Sequence, residues 1–153
     1  MSTAIAITSW AAFLWFTWTA AVIDWKTGLI PPVTLVAMTV TGIIGAVTCE
    51  IWASHYMVEA IALVALGHCS WLIMNRANVH LFGRGDVNKL GAICACLGAG
   101  ATAATFILGG VIALVFALIV HGPNTLPSKS EIRFGPFLGF GASLVLVVEL
   151  LVI

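Results

Sequence analysis

Long runs of apolar residues, separated by short polar loops, dominate the chain. The first uncharged run covers Ala4 to Ile23, and at about 1.5 Å per helical residue it is long enough to cross a hydrocarbon core of about 30 Å. The runs are continuous and do not alternate with period two, so they predict helices and not barrel strands. We therefore predict an all-α membrane protein, with residues 1–153 forming a single embedded domain.

The hydrophobic pattern predicts a six-transmembrane-helix bundle. Its fourth span is the least distinct, because this stretch is rich in Gly and Ala and its turn near Gly98-Ala99-Gly100 is tight, so a five-span arrangement stays open. All six basic residues fall on one side of the six-span arrangement, whereas five spans would divide them, and the positive-inside rule assigns that side to the cytoplasm with both termini outside. The predicted spans are Ala4–Ile23, Val33–Cys49, Met57–Met74, Val87–Ala101, Thr102–Val120 and Phe134–Ile153.

Composition agrees with a membrane protein and excludes several functions. The chain is 61% hydrophobic and only 8% charged, with a mean hydropathy of +1.14. Its six dispersed cations form no basic groove, which argues against nucleic-acid binding. The four cysteines lie in or beside apolar spans without zinc-ligand spacing, so we interpret them as small buried hydrophobes. We predict no metal and no cofactor.

Two carboxylates stand out because acids at a membrane boundary are costly and tend to be functional. Asp24 ends the first apolar run, and Asp86 closes the string Gly83-Arg84-Gly85-Asp86, in which Gly83 and Gly85 permit a sharp turn. Both acids fall on the predicted cytoplasmic side. Two adjacent carboxylates that share one proton activate water and protonate a leaving amine, which is aspartic peptide-bond hydrolysis. A boundary Asp that only caps a helix or faces solvent is the alternative.

Three segments together resemble the type IV prepilin peptidase family. They are Asp24 with Ile30-Pro31 downstream, Gly83-Arg84-Gly85-Asp86-Val87, and Phe134-Gly135-Pro136-Phe137-Leu138. The resemblance implies a membrane-embedded aspartic endopeptidase of the bacterial cytoplasmic membrane, with Asp24 and Asp86 as its catalytic pair. It also implies substrates like type IV pilins or pseudopilins, from which a basic leader is cut at the cytoplasmic face. The hydrophobic N-terminal helix of the substrate would dock laterally against the bundle.

The chain departs from the family pattern at several positions. Asn88 stands where the family often has Lys, with Lys89 following, and Arg133 stands where proline is common. The paired Cys-x-x-Cys motifs of longer members, associated with zinc and methylation of the new N-terminus, are absent from this sequence, so we expect peptidase activity without methylation. The roles of His80, Lys89 and Glu149 stay open.

Other functions remain possible from the residues. A presenilin-like intramembrane protease also uses Gly-x-Gly-Asp. In such a protease the first Asp is expected deep within a helix, and a Pro-Ala-Leu string is expected near the C-terminus. A small proton-coupled carrier or channel would use two membrane-edge carboxylates, but it should also place charge along a transmembrane path. A member of the family that has lost activity and serves in assembly is a third alternative.

Overall fold

The computed structural model describes residues 3–76, 83–121 and 133–152, and all regular secondary structure in these ranges is helical. The all-α prediction is confirmed. His80 and Lys129, which the sequence places in the two longer polar loops, lie outside the described residues. The five helices are α1 (Thr3–Thr27), α2 (Pro32–Thr48), α3 (His55–Arg76), α4 (Arg84–His121) and α5 (Gly135–Val152).

A glycine follows the last residue of the first helix, and the second helix begins at a proline. Gly28 has a φ of +71°, a left-handed conformation that glycine adopts without steric cost, and its N–H donates to the Asp24 carbonyl at 2.8 Å. Pro32 opens α2, a position at which its missing N–H costs nothing and its fixed φ suits the helix. Asp24 consequently lies in the last turn of α1 and not in the loop after it.

The count of six spans is not confirmed. The fourth and fifth predicted spans both belong to α4, which is interrupted by one non-helical residue, Gly98, at φ 80° and ψ 173°. These angles are in a region that essentially only glycine occupies. By length and composition α1, α3 and α4 are able to cross a membrane, whereas α2 and α5 are apolar but shorter.

Contacts at the two ends of α4 show that it folds back on itself at Gly98. Near its start, Gly85 packs against Ile30. Near its end, the ring of Phe116 lies 6.3 Å from that of Trp25. A straight helix would separate Gly85 from Phe116 by about 46 Å, too far for both to reach residues only five positions apart. We call residues 84–97 the first arm of α4 and residues 99–121 its second arm.

The core joins α1, α2, α4 and α5, and α4 contributes mostly its first arm, with Ala101 from the second. Small residues let these helices approach closely: Gly45 lies against the ring of Trp10, and Gly42 lies against Phe13 and Cys96. The prediction of buried cysteines holds for Cys94 and Cys96, whereas Cys49 is half-buried and Cys69 is exposed on α3.

Helix α3 is peripheral. Among the described helices it packs only against α4, and Ala60 is its one buried residue. Val64 and Val87 make close contacts with Gly91 and Gly67 across this interface. The rest of its surface exposes large apolar side chains, as expected for a helix whose other faces contact lipid.

Candidate active site

Asp24 is buried where the end of α1 meets the beginning of α5. Its side chain is 8% exposed, and its Oδ2 accepts a hydrogen bond from the Gly135 N–H at 3.2 Å. Gly135 is the first residue of α5, so this N–H has no partner within its own helix and is free to serve the carboxylate. The Phe134-Gly135-Pro136 segment thereby orients the first predicted catalytic acid.

Asp86 is held by the glycine-rich string that precedes it. It is also 8% exposed, and its Oδ2 accepts the Gly83 N–H at 3.0 Å. A carboxylate in the first helical turn that reaches back to the residue before the helix is one half of a capping box. The second glycine of the string serves packing, because a Cβ on Gly85 would lie 3.1 Å from Ile30 Cγ1. Both acids are thus oriented by backbone N–H groups.

Lys89 lies near both acids and is completely buried. It follows Asp86 by one helical turn, and its Nζ donates to the carbonyl of Gly135 at 2.8 Å and to that of Thr17 at 3.4 Å. Gly135 therefore receives a hydrogen bond from Lys89 and donates one to Asp24. The ammonium is within electrostatic range of Asp24 and Asp86, and the two acids are within range of each other.

Arg133 closes the base of this site. Its guanidinium Nη1 donates to the carbonyl of Asp24 at 3.0 Å and also to that of Trp25. Both carbonyls belong to the last turn of α1, where partners within the helix run out. The Asp24 carbonyl accepts a hydrogen bond from the Gly28 N–H as well as the one from Arg133. Arg133 stands where the resemblance led us to expect proline. Its guanidinium caps the C-terminus of α1, where a positive charge interacts favourably with the negative end of the helix dipole.

The structure brings Asp24 and Asp86 to one end of the bundle, although 61 residues separate them in the sequence. In such a buried site, one ammonium beside two carboxylates partly offsets their charge. The contribution of Lys89 was left open by the sequence. Its signal was a lysine one turn after Asp86 at the start of a helix, but only the tertiary contact with Gly135 links it to Asp24.

The other sequence candidates lie elsewhere. Glu149 is exposed near the far end of α5, and 14 residues of helix, about 21 Å, separate it from Gly135. Within the described ranges no group of three His, Cys, Asp or Glu side chains is arranged to hold a metal ion. Asp24 lies three residues before the end of α1, not at the middle of a span as the presenilin-like alternative requires.

Comparison with known protein families gives a match over most of the chain. The model of the type IV leader peptidase family matches residues 11–118, a range that includes Asp24, the Gly83–Asp86 string and Lys89 but stops before Gly135. No curated protein matches the chain. No solved structure matches it either.

Proposed function

Since the chain belongs to the type IV leader peptidase family, we propose that it is an aspartic endopeptidase that removes the N-terminal leader of prepilin-like substrates. The observation that supports this best is the burial of two carboxylates at one end of the bundle, with the buried Lys89 near both. Membership of the family implies a peptidase, and we propose an aspartic mechanism and prepilin-like substrates for it. These substrates are type IV pilins or pseudopilins, each with a hydrophobic N-terminal helix.

In the proposed reaction, Asp24 and Asp86 share one proton. The ionised carboxylate takes a proton from a water molecule, whose oxygen then attacks the carbonyl carbon of the scissile peptide bond. The protonated acid donates its hydrogen bond to the carbonyl oxygen. When the C–N bond breaks, a proton passes to the leaving nitrogen, which leaves one carboxylic acid product and one free amine.

We propose that Lys89 is a positioning residue. It holds the Gly135 carbonyl, and the Gly135 N–H orients Asp24. Its charge also limits the repulsion between the two acids.

We also propose six membrane crossings, in which each arm of α4 spans the bilayer. The fold-back at Gly98 supports this, because it returns Phe116 to the side of the membrane on which Asp86 lies. The described cations other than Lys89 gather at the same end as the acids, and by the positive-inside rule that end faces the cytoplasm, with both termini outside. They are Lys26, Arg76, Arg84 and Arg133. The membrane would be the bacterial cytoplasmic membrane, and the product would leave without methylation.

The experiment is cleavage of a prepilin-like substrate reconstituted with the protein in liposomes. We expect Asp24→Asn and Asp86→Asn each to abolish cleavage while the protein still inserts and folds. Glu149→Gln is the matched control, because it neutralises an exposed acid far from the site. Normal cleavage by either aspartate variant would exclude that residue from the mechanism. Proton flux through the liposomes without any proteolysis, lost in the same variants, would favour the carrier alternative.

A further inference from the structure

A groove of about 620 Å³ runs along the outside of the bundle from Asp86. Its floor is the first arm of α4, with Asp86, Val87 and Leu90. One wall is α3 from Ser70 back to Glu59, and the other is the start of the second arm. From Ser70 to Glu59 the groove follows α3 for about 16 Å, which is three turns of helix.

The walls of the groove suit an apolar helix. Ala62, Ala99 and Ala103 line it with small side chains and Gly67 lines it with none, and small residues at such positions let a second helix approach closely. At the far end, Glu59 has a partner, since its Oε2 accepts the Ala99 N–H at 2.8 Å. Its carboxylate therefore caps the second arm of α4 and offers no free acid there.

The groove is open to the side. Leu66 on one wall is 69% exposed and Phe106 on the other is 44% exposed. Because α3 packs only against α4 among the described helices, nothing else in that part of the chain covers the groove. A segment that enters it from the plane of the membrane would reach Asp86 without crossing the bundle.

We infer that the apolar helix directly after the scissile bond of the substrate lies in this groove during cleavage. The inference rests on the proposed function, since it identifies where the substrate of the same carboxylates binds. The scissile bond would lie at the Asp86 end. The helix that follows it would run along α3 towards Glu59, and the polar leader would remain at the end of the bundle that carries the cations.

Filling the groove provides the first test. Ala62→Trp places a large side chain in it, whereas Ala65→Trp places the same side chain one turn away, on an exposed part of α3 that does not line the groove. We expect Ala62→Trp to lower kcat/KM for the full substrate at least about tenfold, equivalent to about 1.4 kcal/mol. Ala65→Trp should leave kcat/KM near that of the wild type. Equal values for the two variants would overturn the inference.

Photo-crosslinking provides a second test that does not depend on the activity of the bulky variants. A photoreactive amino acid replaces Leu66, in the groove, or Ile73, on the same helix outside it; both positions are 69% exposed. Each replacement is made in the Asp24→Asn variant, which is expected to bind the substrate without cleaving it, and each protein is mixed with the substrate in liposomes. We expect crosslinks to the apolar helix of the substrate from position 66 and none from position 73.

The outcomes separate this inference from the proposed function. If the wild-type protein cleaves no prepilin-like substrate, the proposed function is wrong, and the inference that rests on it is wrong too. If it cleaves, and position 66 labels only lipid or a second copy of the chain, the function stands and the substrate lies elsewhere.

Discussion

The backbone N–H of Gly135 orients Asp24 only because glycine has no side chain. A Cβ at this position would lie 2.9 Å from Asp24 Cγ and 3.1 Å from Asp24 Cβ, and closer still to Oδ2. Asp24 has little freedom to move away, since its side chain is short and buried and its backbone is held by Arg133. Gly135→Ala should therefore displace the carboxylate and weaken its hydrogen bond.

The size of the effect follows from these contacts. Inserting a methyl group into a packed site costs about 1–3 kcal/mol, and a hydrogen bond to a charged group contributes about 1.5–3 kcal/mol. If Asp24 moves away, the hydrogen bond is lost but the overcrowding is relieved, so the two costs do not add in full. We therefore expect a loss of stability of about 2 kcal/mol. Moving a catalytic group by about 1 Å lowers the rate about 100-fold, so we expect a fall of that order in kcat/KM.

Gly139→Ala is the matched control on the same helix, one turn later. Its Cβ would meet Ala21 Cβ at 3.4 Å and Lys89 Nζ at 3.5 Å, which are ordinary contact distances, and alanine gains up to about 1 kcal/mol over glycine inside a helix. We expect it to retain activity and stability.

The assay measures kcat/KM for a prepilin-like substrate in liposomes, together with the midpoint of denaturant-induced unfolding in detergent. If Gly135→Ala keeps kcat/KM within about twofold of the wild type, the orientation of Asp24 by Gly135 has no part in catalysis.

Two further substitutions test the site and the fold. Lys89→Met removes the buried ammonium and leaves the Gly135 carbonyl unpaired, so it should destabilise the protein by about 3 kcal/mol and lower kcat, with KM less affected; an unchanged kcat would remove Lys89 from the site. Gly98→Ala puts a Cβ at a positive φ and 2.9 Å from Tyr56 Cζ, so its unfolding midpoint should fall by the equivalent of about 1–3 kcal/mol. Gly100→Ala, with no atom within 4 Å of its Cβ, should match the wild type or exceed it, and equal midpoints for the Gly98 and Gly100 variants would show that the fold-back does not require glycine.

Much of the local structure is determined by the sequence itself. Continuous apolar runs in lipid have to close their backbone hydrogen bonds within one helix, so the class of fold and the position of most helices follow from hydropathy. The turn at Gly98 and the start of α2 at Pro32 are likewise local, because they depend on which φ values glycine and proline allow. Asp24 and Asp86 are conspicuous for a similar reason, since acids are scarce in so apolar a chain.

The tertiary structure decided what these residues do together. The glycine-rich turn and the distribution of cations predict a reversal near Gly98, but hydropathy alone left five spans open. The contacts of Gly85 with Ile30 and of Phe116 with Trp25 fix the direction of each arm of α4. The link from Lys89 through Gly135 to Asp24 joins three helices, and no spacing along the chain encodes it. Local sequence sets the conformation of each segment, whereas the approach of distant segments depends on how their side chains pack, which is a property of the whole fold.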